Sequence, residues 1–125
     1  MARPRTRPAP PRVSDPDLPR HLEPATLSRH GDLVEVSVSV GGGSVDGAHA
    51  RLSESVVEPG APERLDLTGA VLSDVVIRDL ATPELRVGDG TWRTVTLIGG
   101  RIGTLDAQRA RFDGVILRGI RIDYL

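Results

Sequence analysis

Any chemistry in this chain has to come from three histidines, arginines and seventeen carboxylates, because cysteine is absent and all sixteen basic residues are arginine. His21, His30 and His49 show no metal-ligand spacing, and without cysteine neither a thiolate metal site nor a disulfide framework can form. Gly41-Gly42-Gly43-Ser44 is a run whose backbone could approach a phosphate. With no lysine anywhere there is no P-loop, and the run reads as a flexible turn. Nucleophile elbows, zinc motifs and dinucleotide fingerprints do not occur. The expectation is a non-enzymatic protein with no catalytic, cofactor-binding or metal-binding residues.

What remains is recognition by charge. Arg3, Arg5, Arg7 and Arg12 could let an N-terminal arm touch phosphate or an acidic partner, but without aromatic neighbours the arm reads as a solvated tail. A second cluster, Arg101, Arg109, Arg111, Arg118 and Arg121, allows weak nucleic-acid binding as one alternative. It lacks a stacking platform, since the single Trp and single Phe fall on inward positions of the pattern described next. Exclusive use of arginine suggests a GC-rich genome of actinobacterial type.

The element that must position these side chains is set by a period of five. Leu67, Leu72, Ile77, Thr82, Val87, Trp92, Leu97, Ile102, Ala107, Phe112, Leu117 and Ile122 follow one another without a slip, and the residue two places before each is apolar or small from Leu65 to Ile120, with Leu125 continuing the series. Five fits neither the 3.6 of a helix nor the 2 of a plain strand. It is the mark of a solenoid, in which stacked copies bury a core that no copy could bury alone. Sizes compensate within repeats: Gly90 precedes Trp92, Gly100 precedes Ile102 and Ala110 precedes Phe112, as close packing demands.

On these residues, most clearly Leu65-Asp66-Leu67-Thr68-Gly69 and Ala110-Arg111-Phe112-Asp113-Gly114, the chain resembles the pentapeptide-repeat proteins. Leu80-Ala81-Thr82-Pro83-Glu84 and Gly90-Thr91-Trp92-Arg93-Thr94 depart from the pattern, so local distortion is expected there. The resemblance implies an all-β fold, a right-handed quadrilateral β-helix with four repeats per coil. Counted from Val45, it makes about four coils over residues 45–125. Weaker copies, Ala50-Arg51-Leu52 and Ser55-Val56-Val57, hold the same register, whereas Gly60-Ala61-Pro62-Glu63-Arg64 keeps only the count.

Upstream, residues 1–30 carry Pro4, Pro8, Pro10, Pro11, Pro16, Pro19 and Pro24 and read as a disordered Pro/Arg-rich leader. Residues 31–44 read as a capping strand, with Val34, Val36, Val38 and Val40 on one face, followed by the glycine turn; the alternative is that this strand leads into the first coil. No signal-peptide core or membrane-length apolar run is present, and cytoplasmic residence is the expectation.

Four repeats per coil would stack residues twenty apart. Asp66, Arg86 and Asp106 then form one ladder, while Glu58 meets Arg78, Arg64 meets Glu84, Asp89 meets Arg109 and Arg93 meets Asp113. This charge pairing weakens a role that the resemblance suggests, mimicry of duplex DNA toward DNA gyrase or a related topoisomerase, which needs a dominant negative field. The favoured reading is a protein-interaction scaffold. Its candidate partner stripe is the outward series Val56, Val76, Thr96 and Ile116, flanked by Ile98, which would either bind a partner or hold the N-terminal leader. A second candidate is an end-to-end seam at Tyr124 and Leu125, through which a homodimer would form; otherwise the chain is a shortened product.

Overall fold

Inward side chains repeat because each strand hydrogen-bonds to the strand twenty residues further along. The computed structural model describes Leu18 and residues 21–125, with strands β1 (Glu23–Thr26), β2 (Asp32–Val34), β3 (Val36–Ser39), β4 (Ser44–Asp46), β5 (Arg51–Val57), β6 (Arg64–Asp66), β7 (Val71–Arg86), β8 (Thr91–Asp106), β9 (Arg111–Arg118) and β10 (Arg121–Tyr124). No helix occurs among the described residues. All pairings are parallel: Leu52, Leu72, Trp92 and Phe112 stack on one face, and Val57, Ile77, Leu97 and Leu117 on the next. Leu80 and Gly100 share a third face, and Leu65, Leu85 and Leu105 a fourth. The result is a four-sided β-solenoid of about five turns.

Five turns rather than four form because Val36 to Val40 belong to the stack. Leu33 pairs with Leu52 and Val38 with Val57, so residues 32–50 make a complete first turn one residue shorter than the others. Their alternation satisfies the inward positions of a coil as well as those of a separate cap. The cap itself is β1, inside the stretch expected to be disordered, and it pairs with β3 from Glu23 to Thr26. Pro24 is tolerated there because an outermost strand bonds on one side only. Leu27 completes the lid over Gly47, where a side chain would collide with it. The part of the expected leader before residue 18, with its four leading arginines, lies outside the described residues.

The core is a single column. Val38, Leu52, Leu65, Leu72, Val75, Ile77, Leu80, Leu85, Val87, Val95 and Ile102 are essentially excluded from solvent, each contributing about 1.5–3 kcal/mol of burial. Pro62 takes its inward place and is buried despite its atypical repeat. Thr82, the polar inward residue, satisfies its hydroxyl locally by donating to the Glu84 carbonyl and accepting from the Glu84 N–H.

Corners explain the fifth residue of the repeat. Glu54, Asp74, Thr94 and Gly114 stack at one corner with positive φ, as do His49, Gly69, Asp89 and Arg109 at another and Asp79, Gly99 and Gly119 at a third. A left-handed residue turns the strand sharply there, which favours Gly and is tolerated by Asp. The corner holding Glu84 and Thr104 has no positive φ. It contains Pro83, so the departure of that repeat from the pattern reports a differently built corner within an unbroken ladder, Glu84 on Thr104. At Gly90-Thr91-Trp92-Arg93-Thr94 the deviation changes nothing in the backbone, since Thr94 takes the common corner conformation.

Candidate interaction surface

Inward positions lose their cover toward the end of the rod. Everything in the repeat frame from Leu65 to Trp92 is buried, but Leu105, Ala107, Ala110, Val115, Ile120 and Ile122 are only partly so. Phe112 and Leu117, central residues of their repeats, are 46% and 53% exposed, and Tyr124 and Leu125 reach 73% and 89%. The cause is geometric: each coil is covered by the next, and among the described residues no strand pairs with the free edges of β9 and β10. Phe112 keeps one aromatic neighbour, Trp92, with ring centroids 5.4 Å apart. Beside Leu125, a depression of about 480 Å³ opens under Leu105, Asp106, Ala107 and Gln108, where the fourth face of the last turn is incomplete. The expected seam residues Tyr124 and Leu125 are thus at the surface. Phe112 and Leu117 join them, and the signal that could have found them was their distance of less than one coil from Leu125.

The expected partner stripe is a real ladder with a different exposure. Ser37, Val56, Val76, Thr96 and Ile116 are successive register partners, and Ile98 lies beside them, paired with Arg78 and Arg118. Yet Val56, Val76 and Thr96 are buried, Ile116 is half-buried, and only Ile98 is exposed. The stripe is thus buried at its first three members.

Charge along the rod is paired much as the twenty-residue stacking predicts. Arg64 Nε reaches Glu84 Oε1 at 3.0 Å, and Arg109 donates to both oxygens of Asp89 at 2.7 and 3.1 Å. The ladder Asp66, Arg86, Asp106 forms in register, but Arg86 turns within its own coil to Glu84 at 2.6 Å. Asp113 sits under Arg93 in register. Glu58 instead accepts a 2.6 Å hydrogen bond from the Ser37 hydroxyl. Arg101 and Arg121 do stack, and Asp123 lies between them, accepting from Arg101 at 3.0 Å and Arg121 at 3.0 Å.

These contacts hold carboxyls below their ordinary range. Arg86 does so for Glu84, Arg109 for Asp89 and Arg101, then Arg121, for Asp123. At Asp66, burial pushes the carboxyl up, but hydrogen bonds from the Thr68 hydroxyl and N–H, with Arg86 and Arg29 nearby, bring the balance down. Pairing of this kind removes the uniform field that a DNA mimic needs, and it occupies three of the arginines a nucleic acid would contact.

His30 and His49 stack at a corner with centroids 5.2 Å apart. Among the described residues no group of three or more metal-ligating side chains converges, and no helix is long and apolar enough to cross a membrane. No family model matches the chain, and no curated protein or solved structure matches it either.

Proposed function

We propose that the protein is a non-enzymatic interaction scaffold of the pentapeptide-repeat kind, working in the cytoplasm, whose docking surface is the exposed last turn and whose first occupant is a second copy of itself. The observation that carries this reading is the exposure of Phe112 and Leu117, residues of core type in core positions, together with Tyr124 and Leu125. A five-residue register with left-handed fifth residues supports the family resemblance. Apolar side chains of this size, contiguous at one end, are what an association site requires. The strand edges of β9 and β10 present backbone donors and acceptors at the spacing of one more coil. A twofold-related copy offers the same edge and the same apolar residues in return.

Light scattering on size-exclusion peaks across a concentration series tests this. The expected result is a defined dimer at higher concentration that Leu117→Glu, a change at an exposed position, converts to monomer. A monomer at every concentration, or heterogeneous aggregates with no discrete dimer, would overturn it.

A further inference from the structure

The free edges of β9 and β10 carry the same short pattern, a cation, an inward apolar residue and an anion: Arg111-Phe112-Asp113 and Arg121-Ile122-Asp123. Phe112 continues the stack of Trp92, and Ile122 that of Ile102. The two sit ten residues apart in a coil of twenty, so they lie on opposite sides of the rod. Arg111, Phe112 and Asp113 are all exposed. Unlike Asp89 with Arg109, neither charge of that first set makes a hydrogen bond or ion pair among the described residues. Arg121 holds Asp123, yet its side chain remains 71% exposed.

A sequence of cation, apolar residue and anion is its own complement when the strand is reversed. A twofold axis across the end of a rod reverses strand direction in just this way. We propose that the second copy docks about an axis passing through Phe112 on one side of the rod and Ile122 on the other, with β9 antiparallel to the partner's β9 and β10 to the partner's β10. This rests on the scaffold reading and fixes how its second copy sits. Arg111 then lies opposite the partner's Asp113, and Arg121 opposite the partner's Asp123, each pair occurring twice by symmetry. The aromatic contact of Trp92 with Phe112 continues across the axis into its own copy.

Alternation and charge together select this register. A slip of one residue would set Phe112 against the partner's Arg111, an apolar core residue against a charge. Slipping by two keeps inward opposite inward, but it sets Arg111 against the partner's Arg111 in one direction and Asp113 against the partner's Asp113 in the other. Like charges directly opposite are destabilising. Turning the axis to the other two faces also brings Arg111 to an acid, the partner's Asp123, but sets the depression beside Leu125 against its own copy. With the axis through Phe112 and Ile122, Leu117 instead meets the partner's Ala107 within that depression and fills it.

Charge reversal in the full chain tests the register, with the dimer dissociation constant measured by sedimentation at low salt. Arg111→Asp and Asp113→Arg should each weaken the dimer about tenfold or more, because each sets like charges against one another across the axis. Combining the two substitutions in one chain should restore the constant to within about threefold. The two single variants mixed should dimerise with each other, since every contact between positions 111 and 113 then joins opposite charges. Melting temperatures of these variants at dilution should match the unchanged chain, which separates lost pairing from lost folding. The protein has no cysteine, so Arg111→Cys and Asp113→Cys give a second readout. They should form an interchain disulfide when mixed but neither alone, because copies of one position lie diagonally at about 7–8 Å. A combined variant as weak as the single ones, or a disulfide at one position alone, overturns the proposal while the scaffold reading stands. An unchanged chain that never dimerises overturns both.

Discussion

Leu97 and Leu117 occupy the same repeat position, the same face and adjacent rungs of one ladder, yet one is 3% exposed and the other 53%. Truncating each to alanine separates what repeat position dictates from what stacking provides. At Leu97 the lost transfer energy is joined by a cavity closed above by Ile77 and below by Leu117, for a cost of about 2–5 kcal/mol. At Leu117 roughly half the side chain is already in water and the space left opens to solvent, so the cost is about 1 kcal/mol. For a chain of this size that difference corresponds to a gap of roughly 4–16 °C in melting temperature. Urea and thermal unfolding followed by circular dichroism, on dilute protein, give both numbers. If the last turn docks a second copy, the Leu117→Ala cost should grow with protein concentration while the Leu97→Ala cost stays constant. Equal costs at every dilution would refute the burial argument.

Gly100 and Gly43 should respond oppositely to alanine. Gly100 has φ +100° and its added Cβ would strike the Leu80 backbone, whereas Gly43 faces open space. Gly100→Ala should cost at least about 2 kcal/mol, and Gly43→Ala should change stability by less than about 1 kcal/mol; comparable urea midpoints for the two variants would contradict this. A pH series tests the ladder of ion pairs. The carboxyls of Glu84, Asp89 and Asp123 are lowered in the folded chain from ordinary values of 4.5, 3.8 and 3.8. Their contribution is therefore complete above those values and lost as pH falls through the lowered ones. Melting temperature should drop from about pH 5 toward pH 2, with a smaller drop in high salt and in Asp123→Asn. A melting temperature flat over that range would show that the pairs do not couple to folding.

Gly100 also shows where pattern reading and structure part. Its smallness beside Ile102 looks like volume compensation, but the closer constraint is backbone: Leu80 lies directly against it in the neighbouring coil. The Asp123 clamp on Arg101 and Arg121 was equally hidden, because it joins residues two apart and twenty-two apart rather than twenty. The pairs that were legible, Arg64 with Glu84 and Asp89 with Arg109, are those that obey the coil period.

From the sequence alone, the period of five determined which side chains turn inward and that stacked copies would bury them, while the resemblance implied that residues twenty apart stack, and Arg64 with Glu84 and Asp89 with Arg109 do meet. The inward pattern follows from local spacing, repeated without a slip. The tertiary structure decided what lies beyond one repeat: that Val36 to Val40 complete a first turn, that β1 closes its top, that the Pro83 corner is built differently, and that Val76 is buried while Phe112 and Leu117 are exposed. Burial depends on the neighbour a coil away. Leu97 and Leu117 are identical in pattern, and only the presence or absence of a following coil tells them apart.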